Sequence, residues 1–180
     1  MHKALFLDRD GVINVDYDYV HKIEEFDFFD GVFETCREFI RNGYLIVVIT
    51  NQSGISRGRY SEEDFSVLTN WMKDEFAENG VRLSAVHHCP HHPDITGDCS
   101  CRKPKAGMID RACEELDIDP TKSVLVGDHE RDIEAGINAG IKCNIRVKSG
   151  REDADLKTTK ANKIVQSLKD INPNALPCLK

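Results

Sequence analysis

The sequence predicts an α/β fold, a three-layer Rossmann-like arrangement around a central parallel sheet. Three observations predict it. Five short runs rich in Val, Ile and Leu, at 3–7, 44–49, 84–88, 123–126 and 143–147, have the near-continuous apolar character of strands buried on both faces. Helical patterns fall between them, at about 31–42, 61–79, 107–117 and 130–139, with a last one near 160–170. Boundary residues agree: Ser61 and Asp64 form a capping-box pattern with Asp in place of the usual Glu, and Gly43, Gly80 and Gly140 stand where helix ends favour positive φ. Such alternation gives right-handed crossovers and a site at the carboxyl ends of the strands.

At 180 residues the chain is expected to be one domain, 1–180, able to bury its core unaided. Hydrophobic residues are 40% and charged residues 31%, and no apolar run approaches the roughly 18 residues of a membrane span, which excludes membrane and disordered classes. The first eight residues leave no room for a secretory leader, so a cytoplasmic protein is expected. Lys plus Arg number 24 against 31 Asp plus Glu, giving −7, and no basic stripe points to nucleic acid. Seven cysteines are an odd count for a cytosolic chain, and three of them lie within thirteen residues.

Two stretches break the alternation: 9–30 and 89–105. Loops of that length in a compact domain are functional or disordered, and the first, with Tyr17, Tyr19, Val20, Ile23, Phe26, Phe28 and Phe29, is too apolar for disorder. The tail Asn172–Lys180 is expected to be irregular and peripheral.

Chemistry collects at the strand ends. Asp8 and Asp10 share a face of the first strand, where two carboxylates need a cation or a shared proton between them. The functional reading is a nucleophilic Asp8 with Asp10 as general acid and base and Mg²⁺ nearby; the bland one is an Asp-Gly turn. Asp128 ends another buried strand and Asp132 follows one helical turn later, a hard oxygen site suited to Mg²⁺ or merely acids at a helix start. Thr50-Asn51-Gln52-Ser53-Gly54 is a turn able to cradle an anion or an ordinary turn. Arg102 and Lys103 are phosphate-binding cations or a solvated basic loop.

Taken in order, Asp8-x-Asp10-Gly-Val, Thr50-Asn-Gln-Ser, Lys103 and Gly127-Asp128-x-x-x-Asp132 resemble the four motifs of the haloacid dehalogenase (HAD) superfamily of phosphohydrolases. The resemblance spans roughly residues 3–147 and implies an aspartyl-phosphate mechanism. Asp8 attacks phosphorus, Asp10 protonates the leaving oxygen and then activates water, and Thr50 and Lys103 hold the phosphoryl oxygens. Mg²⁺ is held by Asp8, the Asp10 carbonyl and Asp128, with Asp132 behind them. No cap domain is expected, because only about twenty residues separate Asp10 from the first helix.

The segment Cys89-Pro-His91-His92-Pro-Asp94-Ile-Thr-Gly-Asp98-Cys99-Ser-Cys101 offers thiolates and imidazoles to structural Zn²⁺. Cys89, His91, Cys99 and Cys101 are assigned as ligands in a loop of about 89–103. His92, His87 or His88 as the nitrogen ligand, and free thiols, remain open. Cys36, Cys113, Cys143 and Cys178 have no partner pattern.

This loop followed by Cys101-Arg102-Lys103-Pro104, with Asn14-Val15-Asp16-x-x-Tyr19-Val20 and Asn51-Gln52-Ser53-Gly54-Ile55-Ser56-Arg57-Gly58, resembles one branch of the superfamily. That branch is the bacterial D-glycero-D-manno-heptose 1,7-bisphosphate 7-phosphatases, with histidinol phosphatase as sister activity. The resemblance implies removal of a C7 phosphate on the way to lipopolysaccharide core or surface glycans, by a monomer acting on a small sugar phosphate. It also implies substrate contacts from Asp16, Tyr17, Asp18, Tyr19, Asn51, Gln52, Ser53, Arg57, Arg102 and His129, with Arg102 reading the second phosphate. Two positions depart from the branch: Asp18 stands where Gly is frequent, and His129 where Lys is. Histidinol-phosphate hydrolysis and a non-catalytic zinc-stabilised binding module are the competing readings.

Overall fold

The computed structural model describes residues 1–149, 154–176 and 178. Six strands form one parallel sheet in the order β3-β2-β1-β4-β5-β6. They are β1 (Lys3–Leu7), β2 (Tyr44–Asn51), β3 (Leu83–Cys89), β4 (Val124–Gly127), β5 (Cys143–Val147) and β6 (Lys163–Val165). The helices are α1 (Val32–Arg41), α2 (Glu62–Glu78), α3 (Pro93–Thr96), α4 (Gly107–Leu116) and α5 (Glu130–Asn138). Among the described residues no helix is long and apolar enough to cross a membrane.

Strand alternation divides the core in two. Leu5, Leu7, Ile46, Val48, Val124 and Val126 pack with Val32, Cys36 and Phe39 of α1 and Leu68, Met72 and Phe76 of α2. Ala4, Phe6, Val47, Ile49 and Leu125 pack on the other face with Met108, Ile109 and Ala112 of α4 and Ile133 and Ala135 of α5. Each inner strand thus meets helices on both sides, which is why its sequence is apolar at every position. The capping box of α2 forms as expected: Asp64 N–H donates to Ser61 Oγ at 3.0 Å, and Ser61 N–H to Asp64 Oδ2 at 2.8 Å.

Three expectations are corrected. The helix near 160–170 is instead β6, paired in register with Ile145–Val147, followed by a 3₁₀ turn at Leu168–Asp170. Lys163-Ile-Val is short and β-branched, so edge pairing to β5 wins over a weak helical pattern. The tail is not peripheral either: Pro173 is buried and Leu176 sits in the α1/α2-side core. Pro177, Leu179 and Lys180 lie outside the described residues. Finally, Cys143 and Cys178 are bonded as a disulfide across 35 residues, so these two are partners rather than bystanders. Cys36 and Cys113 are free, their thiols pushed up to about 12 and about 11, in both cases chiefly by burial.

Loop 9–30 carries one 3₁₀ turn, Ile23–Glu25, between β1 and α1, leaving no room for a cap domain. It is pinned by bridges from Asn14 to Asp10 and to Phe28, and by an aromatic cluster in which Phe26 and Phe28 meet Trp71, Phe33 and Phe76.

Candidate active site

Because β1 is central, its carboxyl end is flanked by those of β2 and β4, and the segment after β3 returns beside them. These ends line a cleft of about 280 Å³. Asp8, Asp10, Asn51, Gln52, Ser53, Arg57, Arg102, Lys103, Asp128 and His129 all reach it, with Asp16, Asp18 and Tyr19 from the loop. Thr50 and Asp132 lie buried beneath its floor.

Asp8 is buried, and its Oδ1 accepts from Arg9 N–H at 2.8 Å and pairs with Lys103 Nζ at 2.8 Å. Burial pushes its carboxyl up to about 7; the Asp132 and Asp128 charges add to the rise and Lys103 opposes it. Lys103 Nζ also pairs with Asp132 Oδ1 at 2.8 Å and donates to the Ile49 carbonyl at 3.1 Å. Burial disfavours the charge on Lys103, but the two acids override it and hold the ammonium more firmly than usual. Likewise burial pushes Asp132 up, and the Lys103 charge wins, leaving its carboxyl below the ordinary range. Asp132 Oδ2 caps α5 by accepting from His129 N–H at 2.9 Å.

Asn51 fixes the backbone of Lys103 from both sides: its Oδ1 accepts from Lys103 N–H at 3.1 Å and its Nδ2 donates to the Lys103 carbonyl at 3.2 Å. Gln52 Nε2 donates to Thr50 Oγ1 at 2.8 Å and to Asp10 Oδ2 at 3.0 Å, joining two motifs through one amide. The Gln52 Oε1 in turn accepts from the Tyr60 hydroxyl. A side chain on Gly54 would put its Cβ 2.1 Å from Tyr60 Cε1, so glycine there is what admits the tyrosine.

The oxygens of Asp8 and Asp128 suit a hard cation. Asp128 is buried, its Oδ1 lies 2.9 Å from His129 Nδ1, and its Oδ2 receives no hydrogen bond among the described residues; neither does Asp8 Oδ2. Gly11 opposes Asp128 so closely that a Cβ would fall 2.1 Å from Oδ2, and its φ of 87° also favours glycine. Asp128, His129 and Asp132 form a group whose ligand atoms lie within 4.8 Å of one another. The Asp128 carboxylate beside its Nδ1 makes His129 hold its proton more tightly than a free imidazole, against burial.

Cys89, Cys99 and Cys101 form a second group that could hold a metal ion. Bonds of about 2.3 Å to a tetrahedral zinc set sulfurs about 3.8 Å apart. The separations are 3.7 Å for Cys89–Cys99, 3.6 Å for Cys99–Cys101 and 2.9 Å for Cys89–Cys101, so the first two match and the third is tighter. His91, expected as the fourth ligand, does not join them within 4.8 Å; its carbonyl instead accepts from Arg102 Nη1 at 3.1 Å.

Tyr17 is a correction. It is 56% exposed and turned out of the cleft, its hydroxyl donating to Asp27 Oδ2 at 2.8 Å. The next two residues explain why: Asp18 and Tyr19 have φ of 64° and 56°, and two successive left-handed residues swing the chain about. Position 18 is therefore one where glycine is at ease and Asp is among the better-tolerated side chains. Arg59 stacks over Tyr19 with its Cζ 4.3 Å from the ring centre.

Three contributors escaped the sequence reading: Arg9, Tyr60 and Arg131. Arg131 lines the cleft from the first turn of α5, a place a helical wheel would give to solvent. Gly54 was visible only as a turn residue, and Tyr60, eight residues from its partner Gln52, left no signal.

Comparison with known proteins agrees with this geometry. The family model for HAD-like hydrolases (Hydrolase_like) matches residues 100–171. A Haemophilus influenzae protein named D-glycero-beta-D-manno-heptose-1,7-bisphosphate 7-phosphatase is 47% identical over 184 residues, covering 100% of each chain. The chain belongs to the heptose-1,7-bisphosphate 7-phosphatase family. Another member of that family, the Campylobacter jejuni protein named for the alpha anomer, is 50% identical over 153 residues, covering 85% of this chain and 87% of its own. Among solved structures, the D,D-heptose 1,7-bisphosphate phosphatase from B. bronchiseptica, complexed with magnesium and phosphate, superposes with a TM-score of 0.83. It is 30% identical and covers 93% of this chain and 94% of its own. Membership of this heptose phosphatase family makes the chain an enzyme, which sets aside a non-catalytic zinc module.

Proposed function

We propose that the protein, acting as a cytoplasmic monomer of one domain, removes the C7 phosphate of D-glycero-D-manno-heptose 1,7-bisphosphate through a phosphoaspartate on Asp8. The observation that carries this is the division of counter-ions on the cleft floor: Lys103 takes Asp8 and Arg9 takes Asp10, so adjacent carboxylates keep different partners and different tasks. Asp8 Oδ2, which receives no hydrogen bond among the described residues, attacks phosphorus as the bond to the sugar oxygen breaks, and Asp10 delivers a proton to that oxygen. Asp10 then takes a proton from water, whose oxygen attacks the phosphoaspartate; inorganic phosphate leaves and Asp8 is restored. Thr50 and Lys103 hold the phosphoryl oxygens.

Asp8, the Asp10 carbonyl and Asp128 would hold Mg²⁺, which when bound neutralises charge on the phosphoryl group. Arg102, beside the sulfur cluster, meets the second phosphate, and Asp16, Asp18, Tyr19, Asn51, Gln52, Ser53, Arg57 and His129 surround the sugar. The expected result with Mg²⁺ is faster phosphate release from either anomer of the bisphosphate than from histidinol phosphate at equal concentration, by about a hundredfold or more. Equal rates, or a preference for histidinol phosphate, would overturn the assignment.

Cys89, Cys99 and Cys101 are proposed to bind one structural Zn²⁺, with the His91 ring, which stands outside the sulfur cluster, turning in to complete the set. A closed set of ligands holds the loop that presents Arg102 and Lys103, and structural zinc stabilises small folds by about 10 kcal/mol or more in peptides. Metal analysis is expected to find one zinc per chain, lost in Cys99→Ser together with most of the activity. A zinc-free wild-type protein of full activity would sink this reading.

A further inference from the structure

We propose that Arg9 is the positioning residue for the general acid and base: its guanidinium fixes the Asp10 carboxylate and ties it to the backbone of loop 9–30. Resting on the role given to Asp10 above, the inference goes beyond it by naming what aims that carboxylate.

Arg9 is 1% exposed, although it follows directly on an aspartate at the edge of a cleft. Its Nε donates to Asp10 Oδ2 at 3.1 Å and its Nη2 to Asp10 Oδ1 at 3.0 Å, so one edge of the guanidinium meets both oxygens. That planar fork fixes the orientation of the carboxylate as well as its place. The same Nη2 donates to the Val20 carbonyl at 2.7 Å and lies 3.4 Å from Gln52 Oε1. The rings of Phe26 and Phe65 lie 5.8 and 6.0 Å from Cζ, within reach of a cation–π contact. Asp10 receives one further donor on each oxygen, Asn14 Nδ2 on Oδ1 and Gln52 Nε2 on Oδ2, both at 3.0 Å.

A single buried cation therefore links β1, the loop and the β2 end at the carboxylate that must move a proton. Val20 is the anchor that makes the loop part of this arrangement: its carbonyl takes the shortest of the guanidinium's hydrogen bonds. A lysine would keep the charge but has no fork with which to orient two oxygens.

Proton delivery to a departing oxygen matters for a sugar alkoxide and little for p-nitrophenolate, which leaves without help. In Arg9→Lys, kcat/KM on the heptose bisphosphate is expected to fall about a hundredfold, the usual scale of a lost general acid. KM for that substrate should change less than about threefold, and kcat/KM on p-nitrophenyl phosphate should hold within about threefold. A parallel loss on both substrates indicates general damage and overturns the proposal. Asp10→Asn is the control. If it discriminates between the leaving groups and Arg9→Lys does not, the role of Arg9 fails alone; if Asp10→Asn does not discriminate, the acid and base reading of Asp10 fails with it. Should Arg9→Lys not fold, Asn14→Ala decides the matter by removing the other donor from Oδ1 while sparing the fork. An unchanged ratio of the two substrates supports the fork as the orienting contact, and a shifted ratio overturns it.

Discussion

Asp8→Asn is expected to lower phosphate release on the order of 10⁴-fold or more, the scale on which removal of a covalent nucleophile acts. The fold should survive, because Asn Oδ1 can still accept from Arg9 N–H and from Lys103 Nζ. A second readout separates this from general damage. Folding raises the Asp8 carboxyl from its unfolded value of 3.8 to about 7, so the folded protein binds this proton more tightly than the unfolded chain. An ionised Asp8 therefore costs stability, and the cost grows as pH rises from about 4 through about 7. The amide carries no such charge, so at pH 7.5 without divalent cations the variant should melt at a higher temperature than the wild type. Turnover retained within tenfold of the wild-type rate would exclude a covalent intermediate on this residue.

Lys103→Met is expected to damage both activity and stability. The wild-type ammonium is shared by Asp8 and Asp132, all three groups being buried. Taking away one partner of a buried ionic group leaves uncompensated charge, at a cost of about 3–5 kcal/mol. Urea midpoints measured across pH check the origin of that cost. It should be largest at alkaline pH, where both acids are ionised, and should shrink as pH falls and the unpaired carboxyls take up protons. Catalysis should fall on the order of 10³-fold from loss of a charge placed on the phosphoryl oxygens. A pH-independent loss of stability would point to packing rather than to the ion triad.

The strand ends were legible in the sequence because backbone periodicity is local. Buried runs that stop at Asp8, Thr50 and Asp128 announce both the strand and its exit, and parallel pairing then brings the ends together. Arg9 was not legible for the same reason. Alternation sends the residue between two aspartates to the opposite face, yet β1 ends at Leu7, and the Arg9 carbonyl accepts from the amides of Val12, Ile13 and Asn14 in a turn. Once the chain leaves the strand, the period of two no longer governs where a side chain points. The Cys143–Cys178 pair and β6 escaped notice because both depend on contacts across tens of residues, with only short and ambiguous patterns nearby. Conversely, the departure at Asp18 was visible in the sequence but acquired a cause only from its backbone angle.

The double hydrogen bond from Asn51 to the backbone of Lys103 also bears on assembly. It spans 52 residues and joins the exit of β2 to the end of the sulfur-bearing loop, so the ammonium cannot reach Asp8 until that loop has closed. Turnover thus reports completed tertiary structure rather than the presence of the sheet alone. During refolding, secondary structure should return before activity, and the interval between them measures the time this seam takes to form.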